Sequence, residues 1–320
     1  MSVNKWSWMS LALVVSTLSM NQATAQALPD ATTIKAVKLF TVPSYCEGVV
    51  FDHQGNGYVS HDKTITKFSL DGKHAEWAVT GAPNGHKILA DGTHLVCDGS
   101  QHAMLKLSAD GKLLPAAATE CAGTALRGPN DLTLDVAHGG FYFSDPADSN
   151  ADNLVGTVHY VDNQGTTHLV DKELAFPNGI VLHPSGKKLY LAESQKNRVL
   201  VYDVLSPGKV GPRQVFAELP SKDEAAGQID NQPDGMCLDA AGNLYVAHYG
   251  MQQVQVLDPS GKLIARYPGG NLTTSNVAFG GPKHDQLFVT GGLGGEAKGG
   301  GVFRLDLGVP GLVILPKPSK

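Results

Sequence analysis

The chain has 320 residues, of which 42% are hydrophobic and 17% charged, with a formal net charge of -5 at pH 7. This length suits two average domains or one large one, and no linker or low-complexity run separates two. No Lys/Arg cluster offsets the acidic balance, which argues against a nucleic-acid partner because phosphates require a basic surface. We therefore expect a single domain that acts on small molecules.

Residues 1–25 are predicted to be a secretory signal peptide. Lys5 precedes the apolar run WMSLALVVSTLSM, and the ATA at 23–25 suits a cleavage site of small residues. The apolar run is short for a membrane span and is interrupted by serines, so we expect no stable membrane insertion after cleavage. The mature chain, residues 26–320, is expected to be exported, either to the periplasm or out of the cell.

Six similar stretches follow one another along the mature chain. Each begins with a polar residue, continues as an apolar run, turns at a glycine and ends in a second apolar run, which is typical of a β-hairpin. The stretches are EGVVFDHQGNGYVS, NGHKILADGTHLVC, NDLTLDVAHGGFYFS, NGIVLHPSGKKLYLA, DGMCLDAAGNLYVA and SNVAFGGPKHDQLFVT. Their starts at 47, 84, 130, 178, 234 and 275 are 37, 46, 48, 56 and 41 residues apart, as expected of propeller blades.

A third strand follows in most units, as in TITKFSL, and a fourth follows less distinctly, as in RQVFAEL. Helices are disfavoured, because the apolar stretches are short and are separated by many of the 37 glycines and 18 prolines. The predicted fold is therefore all-β, a six-bladed β-propeller with four antiparallel strands per blade. The last unit lacks a fourth strand, so IKAVKLFTV at 34–42 is predicted to pair there and close the ring.

The polar residues that begin the six repeats are expected to meet. In a propeller the first strand of each blade lines a central channel, and these positions all lie at one end of it. They are Glu47, Asn84, Asn130, Asn178, Asp234 and Ser275. Each alone fits an ordinary turn, since Pro-Asn-Gly and Pro-Asp-Gly are common turn sequences.

As a ring, these residues favour a bound cation. Two carboxylates and several amide oxygens at a narrow channel mouth would repel one another and lack solvation without a counter-charge. The donors are all oxygens, which favours a hard divalent ion such as Ca²⁺, Mg²⁺ or Mn²⁺. Ca²⁺ fits best because it accepts waters and substrate beside three or four protein ligands, and Zn²⁺ stays an alternative.

Four segments of the chain resemble one family. EGVVFD, GPNDLTLD, FPNGIVLHPSGKKLYLAES and QPDGMCLDAAGNLYVAHYG are similar, in the same order, to motifs of the senescence marker protein/gluconolactonase family, which includes regucalcin and bacterial lactonases. The resemblance extends over roughly residues 40 to 307. It implies a six-bladed propeller with a divalent metal in the channel and an activity that opens sugar lactones or related esters.

The resemblance assigns roles to individual residues. The family's metal ligands fall on Glu47, Asn178 and Asp234, and Asp234 is also the implied catalytic residue. The family's substrate-side asparagine falls on Asn130. In the related diisopropyl fluorophosphatase the ligand shell has four residues, which would make Asn130 a ligand as well.

The substrate contacts depart from the family pattern. In the regucalcin branch an arginine stands two residues before the substrate asparagine, where this chain has Gly128. The nearest arginine is Arg127, which becomes the candidate for a sugar-hydroxyl contact. Asn84, at the ring position of the second repeat, and His248, on the strand that follows Asp234, are further candidate substrate contacts.

The four cysteines at 46, 97, 121 and 237 leave the redox state open. In an oxidising compartment they allow three complete pairings, of which Cys97 with Cys121 is the favoured pair. The alternative is that all four are small buried side chains. Their spacing contains no CxxC, which argues against a zinc cluster.

The leading hypothesis is a metal-dependent lactonase in which the ion polarises the lactone carbonyl and Asp234 acts as base or nucleophile. A second hypothesis keeps the site but has Asp234 attack phosphorus in phosphotriesters or fluorophosphates. A third is a non-catalytic propeller that binds a ligand or a protein through its loops, because a fold does not fix a function. No GxSxG, HExxH or phosphate-loop motif occurs, which excludes the common serine-hydrolase, zincin and NTPase types.

Overall fold

A computed structural model describes residues 27–222, 231–294, 298–312, 314 and 316. These residues form antiparallel β-sheets with a single 3₁₀ turn at Ser194–Lys196. Among them no helix has the length and hydropathy that a membrane crossing requires. The predicted signal peptide, residues 1–25, lies outside the described part of the chain.

The described strands build six sheets, each ordered from an inner to an outer strand. Strand β1 (Val37–Val42) belongs to the last sheet. Blade 1 contains β2 (Cys46–Phe51), β3 (Gly57–His61), β4 (Thr64–Phe68) and β5 (His74–Val79). Blade 2 contains β6 (Pro83–Ile88), β7 (His94–Asp98), β8 (Ala103–Leu107) and β9 (Leu113–Ala118). A small hairpin of β10 (Glu120–Cys121) and β11 (Thr124–Ala125) leads to the next blade.

The remaining blades repeat the pattern. Blade 3 contains β12 (Leu132–Asp135), β13 (Gly140–Asp145), β14 (Gly156–Val161) and β15 (Thr167–Leu174). Blade 4 contains β16 (Pro177–Leu182), β17 (Lys188–Glu193), β18 (Arg198–Ser206), the short β19 (Lys209–Val210) and β20 (Gln214–Glu218). Blade 5 contains β21 (Gln232–Leu238), β22 (Leu244–Tyr249), β23 (Gln253–Leu257) and β24 (Leu263–Pro268). Blade 6 contains β25 (Thr273–Gly280), β26 (Gln286–Gly292) and β27 (Gly300–Asp306).

The ring closes as the sequence predicted. Strand β1 pairs antiparallel with β27, with Val37 opposite Arg304 and Val42 opposite Gly300, and supplies the fourth strand of blade 6. Sharing one sheet between the two ends of the propeller removes an exposed edge. The predicted six-bladed β-propeller is confirmed.

The inner strands form a closed circle, since β2, β6, β12, β16, β21 and β25 each contact the next and β25 contacts β2. The apolar core lies between the blades. Phe51 of blade 1 packs on Phe288 of blade 6 with ring centroids 4.5 Å apart, and Tyr245 of blade 5 packs on Phe279 of blade 6 at 5.0 Å. These packed wedges fix the six inner strands around one axis.

The described residues after β27 cross the base of the propeller, a feature that the sequence did not predict. The Leu312 amide donates to the Leu238 carbonyl at the end of β21, with N···O of 2.9 Å. Further along, His53 Nε2 in blade 1 lies 2.6 Å from the Pro316 carbonyl oxygen. Leu312 and Ile314 line a cavity of about 60 Å³ at the lower end of the channel. The channel is thereby narrowed at the end opposite the ring residues.

The favoured Cys97–Cys121 disulfide is wrong, since all four cysteines are free thiols. Cys97 is buried in the core between blades 2 and 3. The Cys121 thiol lies in the small β10–β11 hairpin and donates to the Thr167 carbonyl at 3.5 Å. The spacing in sequence carried no information about which wall of the blade each thiol faces.

Candidate functional site

The ring residues stand where the pairing of the inner strands is interrupted. The regular ladder between first and second strands breaks around Glu47 in blade 1, around Asn178 in blade 4 and around Asp234 in blade 5. Blades 2 and 6 show the same interruption. An interruption of this kind turns a side chain away from strict alternation, so the repeat starts can face the channel mouth.

The mouth of the channel is narrow because glycine follows the ring residue in four blades. A β-carbon on Gly48 would lie 2.3 Å from the Asn84 carbonyl oxygen of the next blade. One on Gly179 would lie 2.1 Å from the Asp234 carbonyl oxygen. Adjacent inner strands therefore approach one another at these points, which brings the ring residues together.

In the other two blades the position after the ring residue carries a polar side chain. The Asp131 carboxylate lies beside Gly85, and the Asn276 amide lies beside Gly235. A β-carbon on either glycine would clash with the polar side chain next to it. Asp131 is buried, and the sequence analysis missed it as a site residue. The available signal was GPND in the third repeat, where most other repeats have Gly after the polar residue.

Glu47, Asp131 and Asp234 form a group of acidic side chains that oppose one another's ionisation. Burial, and then the charges of Glu47 and Asp131, raise the pKa of Asp234 well above its usual range. Burial raises the pKa of Glu47 to about 8, with a further contribution from Asp131. A nearby positive charge would favour the charged forms of these carboxylates.

The ring also presents oxygens without hydrogen-bond partners. Glu47 Oε2, Asn84 Oδ1 and Asn178 Oδ1 are buried and unpaired. The Asn178 side chain hydrogen-bonds Asp234, which lowers the Asp234 pKa, and its own Oδ1 stays unpaired. Unpaired buried oxygens are costly, and carboxylate and amide oxygens are the ligands that a hard divalent ion prefers. The side chains present thus fit such an ion.

Any ion here would depend on amide oxygens as well as carboxylates. Within the described ranges no three His, Cys, Asp or Glu side chains come within metal-binding reach of one another. Among the described residues, a shell made of acids alone is therefore not formed.

Two tyrosines flank the same end of the channel, and the sequence analysis did not identify either. The Tyr45 side chain hydrogen-bonds the Glu47 carboxylate. Burial, followed by the charges of Glu47 and Asp234, raises the pKa of Tyr45 well above 10.0, so its hydroxyl stays protonated as a donor. The Tyr249 ring lies 6.3 Å from the Tyr45 ring in an edge-to-face arrangement. The two rings form an aromatic wall beside the carboxylates.

The predicted substrate contacts Asn130 and Arg127 lie in different places. Asn130 is half-buried, and its carbonyl accepts from the Gly85 amide at 2.8 Å, so it belongs to the ring. Arg127 is exposed and its guanidinium donates to the Val155 carbonyl. That contact directs Arg127 along the loop after β13.

His248 is fully buried at the end of β22. Its Nε2 lies 2.8 Å from Asn197 Oδ1, and its Nδ1 lies 3.2 Å from Gln255 Nε2. Both ring nitrogens are thus occupied by the protein. Its contact with substrate stays a prediction.

Acidic residues at the ends of second strands hold the loops that lead into the ring. Asp98 accepts from the Gly81 amide at 2.8 Å, Asp145 from the Arg127 amide at 2.9 Å, and Glu193 from the Ala175 amide at 3.0 Å. Each bond ties the loop before a ring residue to the second strand of the same blade. The position of the ring side chains therefore depends on these buried acids.

A concavity of about 730 Å³ lies elsewhere, between blades 2 and 3. Asp135 and Asp162 on its rim accept hydrogen bonds from their own blade, Asp135 from the Tyr160 hydroxyl and Asp162 from backbone amides of its turn. None of the ring residues lines it.

Residues 46–292 match the family described as the SMP-30/Gluconolactonase/LRE-like region. The chain is 30% identical to the pentonolactonase XacC of Haloferax volcanii over 57% of this chain, and the match spans 63% of that relative. It is 30% identical to the lactonase drp35 of Staphylococcus saprophyticus over 82% of this chain and 83% of the relative.

Two further similarities concern one sequence relative and one solved structure. The chain is 27% identical to the diisopropyl-fluorophosphatase of Loligo vulgaris over 76% of this chain and 84% of the relative. A solved gluconolactonase from Xanthomonas campestris superimposes with a TM-score of 0.73 at 22% identity, covering 87% of this chain and 91% of that one. The latter similarity supports the propeller fold.

Proposed function

The chain belongs to the SMP-30/gluconolactonase/LRE-like family, and from that premise we propose that it is a divalent-metal-dependent hydrolase that opens lactone rings. The observation that supports this most directly is the set of buried, unpaired oxygens of Glu47, Asn84 and Asn178 at the end of the channel that holds Asp234. The relatives named as lactonases support the same proposal. Sugar lactones of the gluconolactone type are the proposed substrates.

Glu47, Asn178 and Asp234 are the proposed ligands of one ion, with Ca²⁺ the first choice for an all-oxygen shell and Mg²⁺, Mn²⁺ or Zn²⁺ as alternatives. When bound, the ion supplies Lewis-acid polarisation of the lactone carbonyl, a contribution of several kcal/mol to a transition state of this type. Asn130 is proposed to contact the substrate or to complete the shell. Asn84 contributes an unpaired oxygen on the same side.

Asp234 is the proposed catalytic residue. Its carboxylate is buried at the channel mouth and is oriented by the side-chain amide of Asn178. In that position it takes a proton from an attacking water or attacks the carbonyl carbon itself. Tyr45 holds Glu47 through its hydroxyl, so the second proposed carboxylate ligand keeps a fixed orientation.

The deciding experiment measures acid release from a panel of sugar lactones, with Ca²⁺ and with excess chelator. Asp234→Asn should lower kcat/KM by about 10²–10⁴-fold, the usual contribution of a positioned base. Asp239→Asn is the matched control, because Asp239 lies in the same blade but at the turn after β21, where it accepts from the Ala241 and Asn243 amides. Turnover by Asp234→Asn at the wild-type rate would refute the assignment.

A second activity at the same site is favoured by the similarity to a diisopropyl-fluorophosphatase over 84% of that relative's length. In this reaction Asp234 would attack phosphorus in a phosphotriester or fluorophosphate. Fluoride release from a fluorophosphate in the same panel tests it. If no lactone, ester or fluorophosphate is consumed with any divalent ion, a non-catalytic binding role replaces both proposals.

Export belongs to the same proposal. Residues 1–25 are proposed to be removed during secretion, which would place the hydrolase in the periplasm or outside the cell. N-terminal sequencing of protein recovered from a periplasmic or culture fraction tests this. A mature chain that still begins at Met1 would contradict it.

A further inference from the structure

Among the described side chains that line the cavity below the ring, Lys87 is the one that carries a charge. Three residues after each ring position the inner strands contribute a layer of side chains to a single cavity, namely Val50, Lys87, Thr133, Val181, Cys237 and Ala278. Five of them are uncharged and the sixth carries an ammonium group. Lys87 is half-buried here, and a lysine that lies along apolar side chains keeps its charged end near water or a charged partner.

Among the residues that line this cavity, none offers Lys87 a carboxylate partner. Below it the cavity is lined by Leu312 and Ile314 of the C-terminal segment. In the same layer the neighbouring blades contribute Val50 and Thr133, and within the described part of the chain Lys87 makes no ion pair within 4.0 Å. Above it stand the ring carboxylates.

Asp131 is the carboxylate that packs against β6, the strand that carries Lys87, since its Oδ1 would lie 2.5 Å from a β-carbon on Gly85. Burial raises the pKa of Asp131, and the charge of Lys87 is the first influence that opposes this rise. Asp131 in turn acts on both Glu47 and Asp234. The ammonium group and the three acids thus belong to one electrostatic unit.

We propose that Lys87 is the built-in counter-ion of the channel, balancing Asp131 while a divalent ion balances Glu47 and Asp234. Three carboxylates carry three negative charges, and one dication together with one ammonium neutralises them. Since Lys87 is covalently fixed, part of the neutralisation is present before any metal binds. The same charge repels a second cation from the channel, so the site should bind one ion per chain.

This inference depends on the metal site of the proposed function but not on the reaction. Its test is Ca²⁺ binding to the full mature chain, measured by titration calorimetry at pH 8 after chelator treatment and dialysis. Lys87→Met keeps an unbranched apolar stem and removes the charge that repels the ion. We expect Ca²⁺ to bind about tenfold more tightly, which corresponds to roughly 1.4 kcal/mol of lost repulsion.

Two controls separate charge from packing. Lys87→Arg retains the positive charge and should bind Ca²⁺ with the wild-type affinity. Lys106→Met removes one positive charge from β8 of the same blade, at a position that lines the outer concavity instead of the channel. It should leave the affinity unchanged. Equal or weaker binding by Lys87→Met would overturn the proposal.

A second measurement needs neither metal nor substrate. In chelator at pH 8, Lys87→Met should unfold at a lower temperature than Lys87→Arg, because Asp131 loses its counter-charge. A Lys87→Met protein that is as stable as Lys87→Arg contradicts the inference. If the Met variant does not fold, Lys87→Gln replaces it in both measurements.

The outcomes separate this inference from the proposed function. A wild-type protein that binds Ca²⁺ but opens no lactone refutes the reaction and leaves the Lys87 measurements valid. A wild-type protein that binds no divalent ion refutes the metal site, and the unfolding comparison in chelator still decides the role of Lys87.

Discussion

Replacing Gly179 by alanine tests whether the close approach of blades 4 and 5 positions the site. The added β-carbon would lie 2.1 Å from the Asp234 carbonyl oxygen and 2.9 Å from the Gly235 α-carbon. Both obstacles are backbone atoms, so no side-chain rotation relieves the clash. The two inner strands must separate by about 1 Å, and a displacement of that size is enough to cost about 10²-fold in rate.

The expected result for Gly179→Ala is a kcat/KM for lactone opening about 10²-fold below wild type, together with weaker Ca²⁺ binding. Stability should fall by about 1–3 kcal/mol, the usual cost of inserting an atom into a packed region. Lactone turnover, calorimetric Ca²⁺ titration and urea unfolding measure the three quantities. The binding measurement matters most, because it reports the ring geometry independently of the substrate.

Gly99→Ala is the matched control, since a β-carbon there would meet no atom within 4 Å and the backbone is in an ordinary conformation. It should leave rate, metal affinity and stability unchanged. If Gly179→Ala binds Ca²⁺ and opens lactones as well as Gly99→Ala does, the narrow mouth does not position Asn178 and Asp234, and the reasoning fails.

Three further predictions follow from other contacts. Tyr45→Phe removes the hydroxyl that holds Glu47 and should weaken Ca²⁺ binding about 10-fold. The control Tyr190→Phe in blade 4 should leave Ca²⁺ binding unchanged. If a calorimetric titration gives both variants the same affinity, the Tyr45 hydroxyl does not support the site. Burial lowers the pKa of His94 to about 4, so the folded state resists protonation and stability is lost as pH falls from about 6.5 to 4. His94→Gln should reduce that loss by up to about 3 kcal/mol, and parallel slopes of unfolding free energy against pH would contradict this. Leu312→Ala should lower the unfolding free energy by about 1–2 kcal/mol. The control Leu205→Ala should have no effect, because that side chain is 71% exposed. Equal urea midpoints for the two variants would show that the C-terminal segment does not stabilise the base of the propeller.

The architecture could be predicted because each propeller blade corresponds to one repeat in the amino-acid sequence. Six hairpins with the same order of polar start, apolar run and glycine turn specify six similar units, and equivalent positions in similar units must occupy equivalent places. That argument brought Glu47, Asn178 and Asp234 to one end of one channel without any contact being known. It also gave β1 its place, since a unit short of one strand needs an outside partner.

The cysteines and the C-terminal segment show where this argument stops. Pairing Cys97 with Cys121 required knowing which wall of blade 2 each thiol faces, and no repeat relates an inner-blade residue to a connecting hairpin. The residues after β27 have no counterpart in the other units, so periodicity could not place Leu312 beneath the channel. Tyr45 likewise precedes the repeat and reaches Glu47 through a loop.

The orientation of Lys87 on strand β6 is a further feature that the sequence alone did not predict. Strict alternation from Asn84 would direct His86 into the channel and Lys87 between the blades, since neighbouring side chains on a strand face opposite ways. The pairing is interrupted between Pro83 and His86, which reverses the alternation. His86 therefore lies between blades, with its Nε2 2.7 Å from His94 Nδ1, while Lys87 lines the channel. The sequence determined the number of blades and the residues of the ring through its period. Only the tertiary structure decided which faces the intervening side chains take, because a one-residue irregularity that leaves no mark on composition reverses them.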